Sequence, residues 1–277
     1  MPELPEVETT LRGLDSHLQE KTVQDAVIRC EQLRWPIPSS LKKILVGQTL
    51  QFLSRRGKYL LLHFDTGTLI IHLGMSGSLT VLTTALPARK HDHVDIVFSS
   101  TLIMRYTDPR RFGAILWTEK DPQHHFLLKS LGVEPLEQTF SAEMLYKITQ
   151  KRNMAIKSLI MNAHVVVGVG NIYATEALFL ARIHPANSAK ALTFEQCERL
   201  VNAIKQILTQ AIQQGGTTLK DFVNSEGKPG YFSQQLNVYG REKLPCIICQ
   251  TTLQSLRLNQ RSSTFCPCCQ PYFHIIT

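Results

Sequence analysis

No apolar run in the 277 residues reaches the length of a membrane span, which sets aside an integral helical membrane protein. The N-terminal stretch lacks the positive charge of a secretory signal and carries Glu3, Glu6 and Glu8 instead, so a cytoplasmic location is expected. Internal repeats and low-complexity tracts are missing too. Acid is in short supply: 22 Asp and Glu face 30 Lys and Arg, giving a formal net charge of +8 and a pI near 9.2. That imbalance favours a polyanionic partner, nucleic acid ahead of an anionic membrane surface, and binding that weakens steeply with salt. Paired cysteines are few. Four of the seven fall in C-x2-C pairs near the C-terminal end, which in a cytoplasmic setting reads as metal ligation and not as a disulfide framework. Cys30 and Cys197 read as buried thiols.

The hydrophobic fraction of 43% specifies a globular chain, and the length suffices for two domains with a core each. Val7, Leu11, Leu14 and Leu18, at three- and four-residue spacing, predict an amphipathic helix over 5–20. Short alternating segments at 22–30, 49–54, 59–64, 68–73, 78–83, 93–98, 101–106 and 113–118 predict strands, and many short strands at this spacing mean a β-sandwich or barrel. From 119 onward the period turns helical, with apolar stripes over 124–131, 141–151, 154–162, 171–182 and 193–214. The last opens on Thr193-x-x-Gln196, which has capping-box form. The expected fold class is α+β multidomain: a β-sandwich domain with a leading helix over 1–120, a linker over 121–135, a helical domain over 136–243 and a small metal-binding appendix over 244–277.

Several stretches carry chemistry. If Met1 is removed, the chain begins with the secondary amine of Pro2. An α-amino group titrates near pH 8, well below a lysine, and a secondary amine attacking a sugar aldehyde gives an iminium directly. Glu3 and Glu6 are then carboxylates beside that amine, able to move protons, although the same residues also make an ordinary helix start. Lys58 begins a strand and could point into a cleft as a proton donor; Arg55 and Arg56 before it read as a solvated face. Met75, on the tight turn Leu73-Gly74-Met75-Ser76-Gly77, suits either a core or an apolar wedge that fills the gap left when a base leaves the duplex. In Asp108-Pro109-Arg110-Arg111-Phe112-Gly113 the matching parts are an arginine for the orphaned partner base and a phenylalanine for the neighbouring step.

Lys90-His91-Asp92-His93 reads more simply as a phosphate-contacting loop than as a metal site. Gly168-Val169-Gly170-Asn171 lies between two helices, where glycines and a helix N-terminus can grip a phosphate without reading base sequence. Lys151, Arg152 and Lys157 add positive charge upstream. Cys246-x2-Cys249 and Cys266-x2-Cys269, across a gap of sixteen residues, have the spacing of a tetrahedral four-cysteine zinc ribbon. Four thiolates leave no open position, so one Zn2+ there is structural. Arg257 and Arg261 on that hairpin face either DNA phosphate or solvent.

Together these stretches resemble the bacterial formamidopyrimidine-DNA glycosylase (8-oxoguanine glycosylase) family from end to end. The matching segments are PELPEVE at 2–8, GKYLL at 57–61, HLGMSGSL at 72–79, KHDHVD at 90–95, DPRRFG at 108–113, VVGVGNIYA at 166–174 and GKPGYF…VYGRE at 227–242, with the four-cysteine ribbon. The resemblance implies that the helical domain is a helix-two-turn-helix DNA-binding domain. It implies that Pro2 is the nucleophile forming a Schiff base at the sugar C1′, Glu3 the general acid/base for ring opening, and Glu6 a carboxylate supporting the amine. Lys58 would be the proton donor for β-elimination and Arg261 would assist δ-elimination. Met75, Arg110 and Phe112 resemble the void-filling triad, and His91, Lys151 or Arg152, and Asn171 resemble backbone contacts. The segment around Thr217–Tyr231 is expected to close over the flipped base.

The function implied is a monomeric, bifunctional DNA glycosylase and AP lyase. It would bind double-stranded DNA between its domains, remove oxidised purines through Pro2 and nick the strand, associated in a bacterium with the nucleoid. Two rivals are an endonuclease VIII-like specificity for oxidised pyrimidines and a zinc-ribbon DNA-binding protein without catalysis. Leu4, where the pyrimidine branch tends to carry glycine, and the complete Met75/Arg110/Phe112 set favour the purine branch. The chain departs from the family in reading Arg261-Ser262-Ser263-Thr264-Phe265-Cys266, without the usual threonine-then-aromatic order, which bears on the local support of Arg261. Cys268, inside the second knuckle, is a possible competing ligand or oxidation site.

Overall fold

The computed structural model describes residues 2–84, 86–99, 101–216 and 236–272. The chain divides into two compact units, the first holding residues up to Ser130 with 212–216, the second 131–211 with 236–272. The expected loop around 217–231 lies outside the described residues.

The first unit opens with α1 (Leu4–Leu18), whose Val7, Leu14 and Leu18 are buried while Leu11 is partly so. That stripe is what a surface helix needs in order to dock on a core. There follow β1 (Asp25–Ile28), a short α2 (Leu41–Leu45), β2 (Leu50–Arg56), β3 (Tyr59–Phe64), β4 (Gly67–His72), β5 (Ser78–Leu82), β6 (Asp92–Val97), β7 (Ile103–Thr107) and β8 (Ala114–Thr118). The strands form two four-stranded antiparallel sheets, ordered β1-β6-β7-β5 and β2-β3-β4-β8. Alternate residues of both sheets share one core: Leu60, Leu62 and Phe64 of β3 and Leu69 and Ile71 of β4 join Val94, Ile96, Met104 and Tyr106 of β6 and β7. The architecture is the expected β-sandwich with a leading helix. A register shift between Asp92 and Val94 makes His93 the extra residue of a bulge, and its Nε2 meets the Asp108 carbonyl at 2.8 Å.

One element here carries no sequence expectation, and one expectation fails. α2 was not anticipated, because a five-residue helix buries only Leu41 and Leu45 and offers too little sequence to show a period. The helix expected over 124–131 is a 3-10 turn, Pro122–His124, capped by the Asp121 carboxylate on the Gln123 N–H at 2.9 Å and followed by turns. Of its apparent stripe Leu128 is buried but Phe126 is 52% exposed, so no apolar face holds a marginal helix together.

The second unit contains α3 (Ala142–Thr149), α4 (Ile156–Ile160), α5 (Asn171–Leu180), most of α6 (Phe194–Gln213) and the hairpin β9–β10 (Gln254–Leu258 and Arg261–Phe265). The capping box before α6 forms as expected: the Thr193 N–H donates to Gln196 Oε1 at 2.9 Å and the Gln196 N–H to Thr193 Oγ1 at 3.2 Å. α5 has no stripe, since every residue from Ile172 to Phe179 is buried, which makes it the central helix of this unit.

Candidate functional site

The head of α1 gathers three of the expected residues. Pro2 is buried, Glu3 is 3% exposed and Glu6 is fully buried. Glu3 and Glu6 form a capping box, with the Glu3 N–H donating to Glu6 Oε2 at 2.8 Å. The acids that start the helix are thus buried with Pro2 at the head of α1 and bonded to each other. Gly216, at φ +81°, lies so close that a Cβ there would sit 3.0 Å from Glu6 Oε1, which keeps bulk away from this carboxylate.

Lys58 sits on the turn between β2 and β3, partly exposed. This turn corrects the solvated-face reading of Arg55. Its side chain is 11% exposed, with Nε donating to Glu8 Oε2 at 2.9 Å and Nη1 to the Gly57 carbonyl at 2.9 Å. Burial works to raise the Glu8 carboxyl, but the bonds from Arg55 and Arg12 outweigh it and hold it below the usual range. The pair ties the Lys58 turn to α1.

On the β4–β5 and β7–β8 loops, Met75 is 40% and Phe112 45% exposed, and Arg110 is exposed with its guanidinium 4.7 Å above the Phe112 ring. The core alternative for Met75 is thus removed. His91 is half-buried. Its neighbours Asp92 and His93 are buried and internally used, Asp92 by Thr107 Oγ1 at 2.6 Å and by Arg105 at 3.4 Å. Among the described residues, the group of His, Cys, Asp or Glu side chains that could hold a metal is the C-terminal cysteine cluster, so 90–93 is not a metal site. Sequence reading missed His72, at the end of β4. Burial, with Lys58 and Arg34 beside it, pushes its pKa down to about 4, and its Nδ1 accepts the Gly74 N–H at 3.0 Å. A half-buried neutral imidazole next to two cations is a legible signal only once the fold is known.

In the second unit Asn171 is the first residue of α5, after Gly170, and its buried Oδ1 has no hydrogen-bond partner. Lys151 and Arg152 are exposed on the loop after α3. Lys157 corrects its expectation. It is 1% exposed, not a surface charge, and its Nζ donates to Ser263 Oγ at 2.7 Å and to the Ser262 carbonyl at 3.1 Å. In the stretch that departs from the family before Cys266, the Ser262 carbonyl and Ser263 Oγ bind β10 to α4, and Arg261 is exposed at the start of β10. Glu176, fully buried in α5, accepts the N–H groups of Asn237, Val238 and Tyr239 at 2.8 to 2.9 Å and so anchors the VYGRE segment.

Cys246, Cys249, Cys266 and Cys269 have their sulfurs within 4.8 Å of one another, with individual separations of 3.4 to 4.0 Å. A tetrahedral ZnS4 centre with bonds of about 2.3 Å needs sulfurs about 3.8 Å apart, so the donor set fits. Thr251 pulls Cys249 down to about 6, whereas burial and neighbouring thiols push Cys269 up. So crowded a set is what a cation resolves. The site is one structural zinc, and Cys268, exposed and outside the cluster, is not a ligand.

Three family models match the chain: formamidopyrimidine-DNA glycosylase N-terminal domain over 1–115, formamidopyrimidine-DNA glycosylase H2TH domain over 131–223, and zinc finger found in FPG and IleRS over 243–271. A formamidopyrimidine-DNA glycosylase of Thioalkalivibrio sulfidiphilus is 53% identical over 270 residues, covering 98% of this chain and 100% of that one. That of Hydrogenovibrio crunogenus is 54% identical, covering 98% and 96%. Among solved structures, a Lactococcus lactis FPG mutant in complex with a Fapy-dG-containing DNA matches with a TM-score of 0.91 at 33% identity, covering 98% of this chain and 100% of that one. A complex of Lactococcus lactis Fpg with DNA containing an abasic site gives 0.90 at 33% identity, covering 97% and 99%.

Proposed function

The chain belongs to the formamidopyrimidine-DNA glycosylase family, and from that premise we propose that it is a bifunctional DNA glycosylase and AP lyase of base excision repair. Its substrate is double-stranded DNA carrying 8-oxoguanine or formamidopyrimidines. The observation that carries the reading is the head of α1, where Pro2, Glu3 and Glu6 are buried together and the two acids are joined by the Glu3 N–H bond to Glu6.

The target C1′ is out of reach inside a duplex, so the damaged nucleotide is extruded, at least cost where damage has weakened stacking. Met75, Arg110 and Phe112 occupy the space it leaves. With Met1 removed, the Pro2 nitrogen attacks C1′ as the bond from C1′ to the base breaks and the base departs with a proton. Glu3 delivers the proton that opens the sugar ring, Glu6 holds the amine, and the result is an iminium on C1′. Loss of a C2′ proton then sends electrons into that iminium, and the 3′ carbon–oxygen bond breaks. Lys58 moves protons in this β-elimination, and Arg261 assists the second, δ, elimination. His91, Lys151, Arg152 and Asn171 contact the phosphates.

Borohydride trapping tests the reading. The protein is mixed with a duplex carrying 8-oxoguanine opposite cytosine, reduced and digested, and the DNA-linked peptide is located by mass. A cross-link on Pro2 is expected. Glu3→Gln is expected to lower base excision by about a hundredfold or more, while trapping on a preformed abasic site persists. Normal duplex binding with no cross-link would overturn the assignment, and faster excision of oxidised pyrimidines would move the enzyme to the endonuclease VIII-like branch.

A further inference from the structure

Asp108 was not among the residues singled out for chemistry, yet the residues expected to enter the DNA hang from it. It is fully buried. One carboxylate oxygen accepts Ser76 Oγ–H at 2.7 Å and the Arg110 N–H at 3.3 Å; the other accepts the Gly113 N–H at 2.9 Å and Tyr106 Oη–H at 3.1 Å. Burial, then Asp108 itself, pushes the Tyr106 phenol up, so it stays a donor. Ser76 also accepts the Arg110 N–H, at 3.2 Å, and therefore bridges the two loops by itself. The loops touch in backbone as well. A Cβ on Gly74, at φ +63°, would lie 2.5 Å from the Gly113 nitrogen and 2.5 Å from the Phe112 carbonyl carbon. The residues beside Met75 and those flanking Arg110 and Phe112 thus share one carboxylate across 32 positions of sequence.

We propose that Ser76 and Asp108 form a clamp that makes Met75, Arg110 and Phe112 one preformed wedge, inserted into the duplex as a unit, with Asp108 and Ser76 as positioning residues. The inference rests on the reading of those three side chains as the void-filling set. Two loops that moved independently would each lose freedom on insertion; a clamp removes that cost in the free protein. It also accounts for apolar side chains held out in water at 40% and 45% exposure. A carboxylate is required here. An asparagine could accept on one side only, and its amide would leave the N–H of either Arg110 or Gly113 facing a donor.

A double-mutant cycle in the full-length, zinc-loaded protein tests this. The duplex carries a tetrahydrofuran abasic analogue, with 2-aminopurine as the neighbour of the orphaned base, and insertion is read as the fluorescence rise on binding. Met75→Ala and Arg110→Ala are each expected to reduce insertion, and the double variant to lose less than the product of the two. In a Ser76→Ala background that coupling should vanish and insertion should fall about tenfold, the worth of one or two buried hydrogen bonds. Ser76→Thr, which keeps the hydroxyl, should restore the coupling. Asp108→Asn, with folding checked by its melting transition, should behave like Ser76→Ala. Coupling that survives in both folded variants overturns the clamp, as do independent single effects in the wild-type background. If neither single variant alters the signal, the void-filling reading itself fails, which is a separate result.

Discussion

At the scale of single residues, His72 takes up its proton at a lower pH in the folded protein than in the unfolded chain. The unfolded imidazole binds a proton near 6.5, whereas burial, reinforced by Lys58 and Arg34, delays this in the folded state to about 4. Between those values the unfolded chain holds more protons, so stability falls as pH is lowered through this window and is indifferent to this group above it. Urea midpoints at neutral and mildly acidic pH should show the loss, and His72→Gln should flatten that slope. An unchanged slope in the variant would show that the imidazole is not the source. Arg55 and Lys157 make a related point. Each is a cation that local sequence suggests is solvated, and each has a partner far along the chain: Glu8 at 47 residues for Arg55, Ser263 at 106 for Lys157.

At the scale of elements, α1 positions the proposed Pro2, Glu3 and Glu6 set at its head while its apolar stripe docks it on the sandwich core. Leu14 is fully buried in the sandwich core. Leu14→Ala should therefore cost about 2–5 kcal/mol, seen as a lower urea midpoint at unchanged slope. This helix was legible in advance, as were the capping box at Thr193 and the strand β3, because periodicity and caps are local properties. What escaped reading was tertiary. Asp108 stood in view within DPRRFG, but nothing in that string says that Ser76, Tyr106, Arg110 and Gly113 all converge on its carboxylate. The all-round burial of α5 was likewise invisible, since a helix wrapped by its own unit has no polar side to set a period. The supposed helix at 124–131 failed for the converse reason: its apolar residues recur, but too few of them find a core.

At the scale of the whole molecule, an α+β chain of net charge +8 carries a ribbon whose small core, Val238 and Leu253 around the cysteines, borrows Phe179 from α5. Removing the metal should therefore unfold the β9–β10 hairpin and release Arg261 from its tether, while the sandwich keeps its core. A strong chelator, or Cys249→Ser, should release one zinc per chain and abolish tight duplex binding, with the β signal in far-ultraviolet dichroism retained; full binding by metal-free protein would contradict this. The same ribbon has a practical consequence. Cys30 and Cys197 are buried and four cysteines are committed to zinc, which leaves Cys268 as the exposed thiol of the loaded protein. A maleimide fluorophore can thus be coupled at one defined point without altering the sequence, so that individual molecules can be followed under a microscope as they scan a stretched duplex.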